Sequence, residues 1–347
     1  MRKLAVIISP NWKDYAKRFL HDCLASLRAQ TMQEFDLILV DNESSPESLE
    51  YLKSIATEAT IISLEKNEGF AGGNNAAIKE AMKQGYEYVF LVNMDTVLEA
   101  DCLVKIMQAA EEEPDSAIQA RLMMYPDKQK VNSLGNSTHF LGFGYSLGNN
   151  ELYDPKNNRR EIAYPSGAAV LFPCKALEEI GLFDEEMWMY NEDQDLGWRF
   201  WLSGRKCLIA NDAVVYHKYE FSRSITKYYW MDRNRIIAII KNYRLLSLIC
   251  IFPAFIIMEI GLILFSLKSG WFKEKLKVWM YFSQSKNIRY LVEARRKTQG
   301  LRKSSDRRIT KYFSGIIWYQ EIDDYKLRII NPIFSLYWRI VRMIMFW

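Results

Sequence analysis

The sequence predicts an α/β protein with a mostly parallel β-sheet flanked by helices, followed by a helical C-terminal region. Three observations lead to this prediction. Apolar runs of strand length alternate with stretches of helical periodicity early in the chain. Polar clusters follow two of these runs, at the edge where a parallel sheet binds its ligands. Beyond residue 218 the composition becomes basic and strongly apolar.

The alternation of strand and helix patterns begins at the N-terminus. Residues 4–8 form a β-rich apolar run, and residues 15–29 carry apolar side chains at helical spacing. Strands are then predicted at 36–40, 60–64 and 88–92, and helices at 49–56 and 76–84. Further along, strands are predicted at 166–172, 205–209 and 214–216, a short helix at 176–180, and loops with short strands over 121–165.

Charge is distributed unevenly between the two parts of the chain. Residues 1–217 hold 21 Lys and Arg against 33 Asp and Glu, a net charge of −12, whereas residues 218–347 hold 25 against 9, a net charge of +16. The acidic part fits a cation-assisted site, and the basic, aromatic part fits nucleic acid or an anionic membrane surface. The five cysteines lack CxxC spacing, which argues against a zinc site or a disulfide framework and favours a reducing cytosol.

Residues 245–267 are long and apolar enough to span a bilayer. Pro253 favours a break in this stretch, and Glu259 is unfavourable in lipid. A spanning helix, a monotopic or re-entrant hairpin and a soluble packing helix all remain open. The final stretch, residues 333–347, mixes aromatic side chains with arginines, a composition typical of an interfacial amphipathic helix, although a core helix is also possible.

Asn93-Met94-Asp95 follows the predicted strand at 88–92. Residues i and i+2 of an extended chain point the same way, so Asn93 and Asp95 can share a hard cation such as Mg²⁺ or Mn²⁺. The same tripeptide is also an ordinary turn former. His217, at another predicted strand end, could complete a metal site with Asp95, although a lone histidine is more often structural.

Two further segments have patterns that fit a site. KNEGFAGGNN, residues 66–75, could let the backbone approach a phosphate, but it lacks the dinucleotide fingerprint and on its own favours a flexible turn before a helix. MYNEDQDLGWRF, residues 189–200, places carboxylates among aromatic side chains. Glu192 and Asp195 would share a helix face, whereas Asp193 has no local partner and suits a general base with a raised proton affinity.

Taken in order, these segments resemble the family 2 glycosyltransferases, in particular the rhamnosyltransferase-like branch of bacterial surface-polysaccharide enzymes. The resemblance covers about residues 4–235. It is carried by the segments VDNESSPE, NEGFAGGNNAAI, VFLVNMDTVL, PSGAAVLF, FDEEMWMYNEDQDLGWRFWLSGRK and VVYHKYEFSRS.

The resemblance implies a GT-A fold and a role for each matching residue. Asp193 would be the catalytic base. Asp95 would be the main metal ligand, with His217 as a second, and Asn93 replaces the first Asp of the family's metal motif, which puts tight metal binding in question. Nucleotide contacts are implied for Asp41, Asn67, Gly69, Gly72, Gly73, Asn74 and Asn93, and acceptor contacts for Glu192, Trp188 and Tyr190.

The function implied by the resemblance is inverting, metal-dependent transfer of a sugar, taken to be rhamnose, from a dTDP- or UDP-linked donor to a saccharide or lipid-linked acceptor. A UDP-hexose or UDP-galactofuranose donor and a non-catalytic membrane-associated scaffold are the alternatives. Nucleic acid is not an expected partner, because no RNP or helix-turn-helix motif is present. We expect residues 1–217 to form the catalytic domain and 218–347 a membrane-associated region on the cytoplasmic side, peripheral or monotopic.

Overall fold

The structure, a computed structural model, describes residues 3–157, 160–218, 225–317 and 325–347. The chain divides into two compact units. The first unit contains most of the residues before 221, but Ser137–Tyr145 and Trp198–Gly204 belong to the second unit with the C-terminal region. Residues 219–224, part of the last segment of the resemblance, lie outside the described residues.

The first unit alternates strands and helices as predicted. Its strands are β1 Leu4–Asn11, β2 Phe35–Asn42, β3 Thr60–Leu64, β4 Tyr88–Val92, β5 Thr96–Leu98, β6 Ala117–Met124, β7 Val131–Ser133, β10 Ala169–Pro173 and β11 Cys207–His217. Two further strands, β8 Asn136–His139 and β9 Gly144–Ser146, belong mostly to the second unit. Its helices are α1 Tyr15–Arg28, α2 Pro46–Ile55, α3 Gly69–Lys83, α4 Cys102–Glu112, α5 Cys174–Ile180 and the start of α6 Glu192–Leu202.

The main sheet has the strand order β3-β2-β1-β4-β10-β6-β11-β5, with β7 paired to β6. β1 pairs in parallel with β2 and β4, β6 pairs in parallel with β11, and β10 runs antiparallel between β4 and β6. β1 and β4 are almost wholly buried, which explains their continuous apolar sequences. This confirms the predicted GT-A-like sheet with flanking helices, and the antiparallel strands β5, β7 and β10 make the sheet a mixed one.

The glycine-rich stretch 66–75 is not a flexible turn. α3 begins at Gly69, seven residues before the predicted start, and contains Gly72 and Gly73. A Cβ atom on Gly73 would lie 2.3 Å from Pro10 Cγ, and one on Gly72 would lie 2.6 Å from Glu68 Cβ. The prediction was wrong because glycine lowers helix propensity, whereas here its small size allows close packing of the helix.

Other parts of the first unit also differ from the predictions. The predicted strands at 205–209 and 214–216 form one strand, β11, whose pairing with β6 shifts register between Ala210 and Val214. β6 begins before the stretch 121–165 that was expected to hold loops and short strands and ends inside it, yet it joins two neighbours in the main sheet. Helix α4 was not predicted at all, although its inward face is apolar.

The second unit is mostly helical. It contains α7 Lys227–Asn242, α8 Leu245–Lys268, α9 Phe272–Ser283, α10 Ser285–Gly300, α11 Asp306–Ile309, β12 Phe313–Ser314 and α12 Tyr325–Ile344. β12, β8 and β9 form a small sheet. Trp198 and Trp201 are buried in this unit, where Trp198 packs edge-on against Tyr243 and Trp201 stacks on Tyr312.

Helix α8 coincides with the apolar stretch found in the sequence. It continues through Pro253 as a single helix of 24 residues rather than breaking into a hairpin. Within the described residues, α8 is the one helix whose length and apolar composition would allow it to cross a membrane. Only 11% of its most apolar window is buried, so most of its apolar surface faces outward.

Candidate active site

The carboxyl ends of β1 and β2 present a cluster of buried polar side chains. Asn11, at the end of β1, is paired in register with Asp41 of β2. Asn11 Nδ2 donates hydrogen bonds to Asp41 Oδ1 at 3.4 Å and to Ser48 Oγ at 3.1 Å. The Ser44 hydroxyl also donates to Asp41 Oδ1. Asp41, predicted to contact the nucleotide, is therefore held at the sheet edge by donors from β1 and from the loop after β2.

Asn42 connects this edge to the residues that precede α3. Its Nδ2 donates to Asn67 Oδ1 at 3.1 Å and to the carbonyl of Gly69 at 3.2 Å, and its Oδ1 accepts from the Glu68 N–H at 2.9 Å. Asn67 Oδ1 in turn accepts from the Gly69 N–H. Because Asn42 bonds to both ends of this turn, it is a candidate site residue, although it was not among the predicted nucleotide contacts.

The turn before α3 packs directly on the segment that precedes α6. The carbonyl of Trp188 accepts from the Ala71 N–H at 3.1 Å, and Trp188 Nε1 donates to the Asn67 carbonyl at 3.4 Å. Gly69 has φ +68°, and a Cβ atom there would lie 2.4 Å from the Trp188 carbonyl oxygen. Only glycine fits this position. These contacts bring Asn67 and Gly69, which were predicted to bind the nucleotide, next to Trp188, which was predicted to bind the acceptor.

Asn74, predicted to line the nucleotide pocket, is fully buried in α3. Its Nδ2 donates to the Phe70 carbonyl at 2.9 Å. Its Oδ1 has no hydrogen-bond partner among the described residues. With Gly72 and Gly73, which are also buried, Asn74 lies on the packed side of the helix rather than at an open surface.

Asp95 and His217 meet at the carboxyl end of the sheet. Asp95 Oδ1 lies 3.2 Å from His217 Nε2, and Tyr15 donates its hydroxyl to Asp95 Oδ2 at 2.8 Å. On the other side of the imidazole ring, His217 Nδ1 lies 3.0 Å from Asn132 Oδ1. Asp95, His217 and Asn132 are each only 6% exposed. Tyr15 and Asn132 were not identified from the sequence.

The hydrogen bonds around Asp95 favour its charged form. Burial by itself would raise the pKa of Asp95, but the hydrogen bond and charge of His217 and the hydrogen bond from Tyr15 bring the pKa below its ordinary value. Asp95 is therefore a carboxylate at neutral pH, the form that binds a hard cation.

Asn93 lies two residues before Asp95 and carries an unsatisfied oxygen. Its N–H donates to the Ala168 carbonyl at 2.9 Å, which fixes the backbone. In the described part of the chain, Asn93 Oδ1 is buried without a hydrogen-bond partner. A buried amide oxygen of this kind is normally paired, so the unpaired oxygen of Asn93 is consistent with a ligand-binding role.

The residues present fit a divalent cation that is bound jointly with a phosphate ligand. Among the described residues, no three His, Cys, Asp or Glu side chains cluster into a complete protein metal site. Mg²⁺ commonly uses one or two carboxylates and completes its shell with substrate phosphates and water, and imidazole also ligates Mn²⁺. Asp95, His217 and the free oxygen of Asn93 supply such a partial set.

Asp193 lies in the first turn of α6 and is held by two backbone donors. Its Oδ2 accepts from the Gly167 N–H at 3.2 Å, and its Oδ1 accepts from the Gln194 N–H at 2.7 Å. The residue keeps some exposure, but withdrawal of the carboxylate from water raises the pKa of Asp193 to about 6, against the opposing effect of these hydrogen bonds. Asp193 is thus a fixed carboxylate poised to exchange a proton near neutral pH.

Glu192 is more deeply buried than Asp193. It is 6% exposed, and among the described residues its Oε2 has no hydrogen-bond partner. Burial, and to a smaller degree the charge of Asp193, raises the pKa of Glu192 well above its ordinary value. Glu192 therefore remains protonated when Asp193 ionises, so the two adjacent carboxyl groups have different states at the same pH.

The segment before α6 has an unusual backbone. Trp188, Tyr190 and Asn191 all have positive φ values, of 59°, 69° and 66°. Three such residues in four positions are uncommon outside glycine, and they persist only where surrounding contacts hold them. Tyr190 and Trp188 are partly exposed here, next to Glu192, as a wall of an acceptor site would require.

Gly167 and Ala168 connect the proposed base to the metal-ligand candidates. Gly167 donates to Asp193, and the next residue, Ala168, accepts from Asn93. A Cβ atom on Gly167 would lie 2.9 Å from the Phe70 ring and 4.0 Å from Asp193 Cβ. Glycine at position 167 therefore lets the Phe70 ring pack closely against the backbone that donates to Asp193.

The family model for glycosyl transferase family 2 matches residues 6–181, which is half of the chain. The chain belongs to glycosyltransferase family 2. The matched region contains the nucleotide-site candidates, Asn93 and Asp95, whereas Asp193 and His217 follow it.

Among curated proteins, the chain is similar to poly-β-1,6-N-acetyl-D-glucosamine synthases. It is 22% identical to the enzyme of Staphylococcus aureus strain COL over 191 residues, which are 53% of this chain and 43% of the relative. It is 24% identical to the Staphylococcus epidermidis enzyme over 186 residues, 53% of this chain and 42% of the relative. The family 2 chain therefore spans less than half the length of these relatives.

Two solved structures share the fold. S. aureus TarS residues 1–349, solved in complex with UDP, has a TM-score of 0.52 and 18% identity, and the match covers 98% of this chain and 90% of TarS 1–349. GalNAc-T7, solved with UDP, GalNAc and Mn²⁺, has a TM-score of 0.54 and 12% identity, covering 69% of this chain and 48% of the other. At these identities the likeness establishes the GT-A-like fold alone.

Proposed function

We propose that this family 2 protein is an inverting, metal-dependent glycosyltransferase of surface-polysaccharide synthesis. The observation that carries the proposal is the geometry of Asp193, a carboxylate fixed by the Gly167 and Gln194 N–H groups with its pKa raised to about 6. It is linked through Ala168 to Asn93, beside Asp95 and His217. One base and one cation-binding edge are the groups that a single displacement requires.

In the proposed reaction the acceptor hydroxyl attacks the anomeric carbon of the donor sugar. The new bond joins the hydroxyl oxygen to that carbon, the bond to the diphosphate oxygen breaks, and the nucleoside diphosphate leaves. Asp193 takes the hydroxyl proton, and the single displacement inverts the anomeric configuration. Asp95, His217 and Asn93 would hold the divalent cation, which when bound offsets the charge that develops on the leaving diphosphate.

Alternative donors are proposed on different grounds. The resemblance of the sequence favours dTDP-rhamnose. The TarS and GalNAc-T7 structures were solved with UDP, and the curated relatives are named for an N-acetylglucosamine polymer, which supports a UDP-linked hexose instead; UDP-galactofuranose is a further alternative. The acceptor is proposed to be a saccharide or a lipid-linked saccharide.

The second unit is proposed to keep the enzyme at the cytoplasmic face of a membrane as a peripheral or monotopic protein. α8 has a mean hydropathy of 2.6 over its most apolar window, and little of that window is buried. A lipid-linked acceptor would be presented at the same surface.

A donor screen tests the proposed activity. The full chain is incubated with Mn²⁺, a mixture of saccharide and lipid-linked saccharide acceptors, and each of dTDP-rhamnose, UDP-glucose, UDP-N-acetylglucosamine and UDP-galactofuranose. Release of the nucleoside diphosphate is measured. Thermal stability with dTDP or UDP is measured in parallel, because a ligand that binds the folded state raises the melting temperature. We expect one donor to be turned over and its nucleotide to stabilise the chain with Mn²⁺. Stabilisation without turnover of any donor would favour the non-catalytic scaffold.

A further inference from the structure

We propose that α8 lies in the plane of the membrane surface, with one face in the lipid and the other on the second unit, and does not cross the bilayer. The inference rests on the membrane location proposed above and adds the orientation of the helix and the chemistry of its partner, an anionic lipid surface. Three observations within the second unit carry it.

The first observation is that α8 has two distinct faces along its whole length. One face is buried in the second unit and includes Ser247, Ile251, Ala254, Met258 and Ser266. The other face is exposed and apolar up to Lys268 at the end of the helix. Its outer stripe consists of Leu245, Ile249, Phe252, Ile256, Ile260, Leu264 and Leu267. The spacing of three to four residues runs from the first turn to the last, as expected for a helix that lies along an interface.

The second observation is a network of four charges that holds the inner face in place. Glu259, the single charge within the apolar part of α8, accepts from Lys275 Nζ of α9 at 2.6 Å and is paired with Arg235 of α7. Asp232 of α7 completes the network, at 2.7 Å from both cations. Lys275 and Arg235 are almost fully buried. Glu259 is therefore neutralised inside the protein rather than facing lipid.

The inner face is also held near its N-terminal end. Ser247 donates to Asp306 of α11 at 2.5 Å, and Trp347 Nε1 donates to Ser247 Oγ at 2.8 Å. Ser247 and Glu259 are separated by about 18 Å along the helix axis. A spanning α8 would carry Asp306, Lys275 and the other members of the charge network to bilayer depth with it, which is strongly unfavourable.

The third observation is the character of the neighbouring helices. α9 and α12, which both contact α8, also expose apolar side chains, among them Trp279 and Met280 on α9 and Ile340 on α12. Exposed cations occur on the same helices, including Lys273 of α9 and Arg339 of α12, and Lys268 ends α8. Apolar side chains bordered by cations match a bilayer with anionic headgroups. They match a second protein surface less well, since such a surface would need to supply both apolar and acidic groups.

Vesicle flotation tests the partner. The full chain is mixed with vesicles of phosphatidylcholine alone or with phosphatidylglycerol added. We expect flotation with both, at least several-fold greater with the anionic lipid and reduced by salt. Ile249→Asn combined with Ile256→Asn and Leu264→Asn should abolish flotation, whereas Leu152→Asn, on a highly exposed leucine of the first unit, should not change it. Absence of flotation by the wild-type chain, or flotation by the triple variant, would overturn the lipid partner.

Sidedness tests the orientation. Ser269→Cys, just beyond the end of α8, is exposed to an impermeant maleimide after the chain has bound to the outside of sealed vesicles, and the wild-type chain is the control for labelling of the native thiols. In-plane α8 predicts full labelling of the introduced thiol, and a spanning helix predicts its protection. Spin labels at positions 249, 256 and 264 should report equal depths, because the outer stripe is parallel to the surface.

Two outcomes would overturn the in-plane orientation while leaving membrane binding intact. One is protection of the thiol introduced at position 269, and the other is a spin label at position 256 that lies much deeper than the labels at 249 and 264. Nucleotide-sugar turnover is measured separately, so loss of either membrane result leaves the catalytic proposal standing.

Discussion

Asp95 Oδ1 lies 3.2 Å from His217 Nε2, and Asn132 Oδ1 lies 3.0 Å from the other nitrogen of the same ring. With a cation bound, Asn132 would accept the Nδ1 proton, and the Nε2 lone pair and the Asp95 carboxylate would face the same ion. A buried hydrogen-bond acceptor behind a histidine ligand fixes both the tautomer and the orientation of the ring. Asn132 is thus a positioning residue for the metal-ligand candidates.

Asn132→Leu should weaken binding of Mn²⁺ in the presence of the nucleoside diphosphate by about 10- to 100-fold, because His217 loses its orienting acceptor. Asn132→Asp keeps an acceptor at the same position and should restore most of the affinity. Electron paramagnetic resonance of free Mn²⁺ measures the affinity without turnover. Equal affinity of the wild-type chain and Asn132→Leu would remove the proposed role.

The pH dependence of turnover follows from the state of Asp193. The pKa of Asp193 is raised to about 6, and a general base must be deprotonated, so kcat/KM should fall about tenfold per pH unit below about pH 6. Glu192→Gln should leave this acidic limb in place, since Glu192 is already neutral when Asp193 ionises. A profile that is flat from pH 5 to pH 8 would contradict the assignment.

Glu192→Gln should also stabilise the unliganded protein above neutral pH. The pKa of Glu192 in the folded state lies well above its ordinary value of 4.5. The protonated Glu192 side chain therefore makes its full contribution to stability below pH 4.5. This contribution is lost as the pH rises through the folded-state pKa, because the buried side chain is then forced to ionise. The melting temperature of Glu192→Gln should exceed that of wild type at about pH 8.5, and the difference should vanish near about pH 4. A constant difference at both pH values would indicate a packing effect instead.

Gly69→Ala should destabilise the protein more than Gly85→Ala. Both glycines have positive φ, of +68° and +79°, so backbone strain of about 1–2 kcal/mol is common to both substitutions. A Cβ atom on Gly69 would also lie 2.4 Å from the Trp188 carbonyl oxygen, whereas nothing lies within 4 Å at Gly85. The lower melting temperature of Gly69→Ala measures the clash, and equal melting temperatures would mean that the Trp188 segment moves away freely.

The fold was largely predictable because its central strands are buried on both faces. The strand predicted at 88–92 coincides with Tyr88–Val92, which is wholly buried. The strand predicted at 60–64 also coincides with Thr60–Leu64, although this edge strand is only partly buried. Helix α3 was predicted too short, since glycines chosen for close packing look like a loop in the sequence. β6 was missed because Arg121 and Gln119 interrupt its apolar pattern, although pairing with neighbouring strands compensates for them.

The metal-ligand candidates were predictable where a residue type and a strand end coincide. Asp95 and His217 met that condition, and the structure places them in contact. Asn132 and Tyr15 carry no such signal, because only strand pairing and the position of α1 bring them to the same place. Nothing in the local sequence identifies an asparagine or a tyrosine that lies near a metal ligand only in the folded structure.

The most direct measurement is nucleotide-sugar turnover by Asp193→Asn, with the donor identified in the screen. The substitution removes the proton acceptor and keeps the shape of the side chain. We predict a fall in kcat of about 10²- to 10⁴-fold with unchanged stabilisation by Mn²⁺ and the nucleoside diphosphate. Asp212→Asn, the same change on an exposed carboxylate of the first unit, should retain full activity. Turnover by Asp193→Asn at a rate near that of wild type would contradict the assignment of Asp193 as the catalytic base.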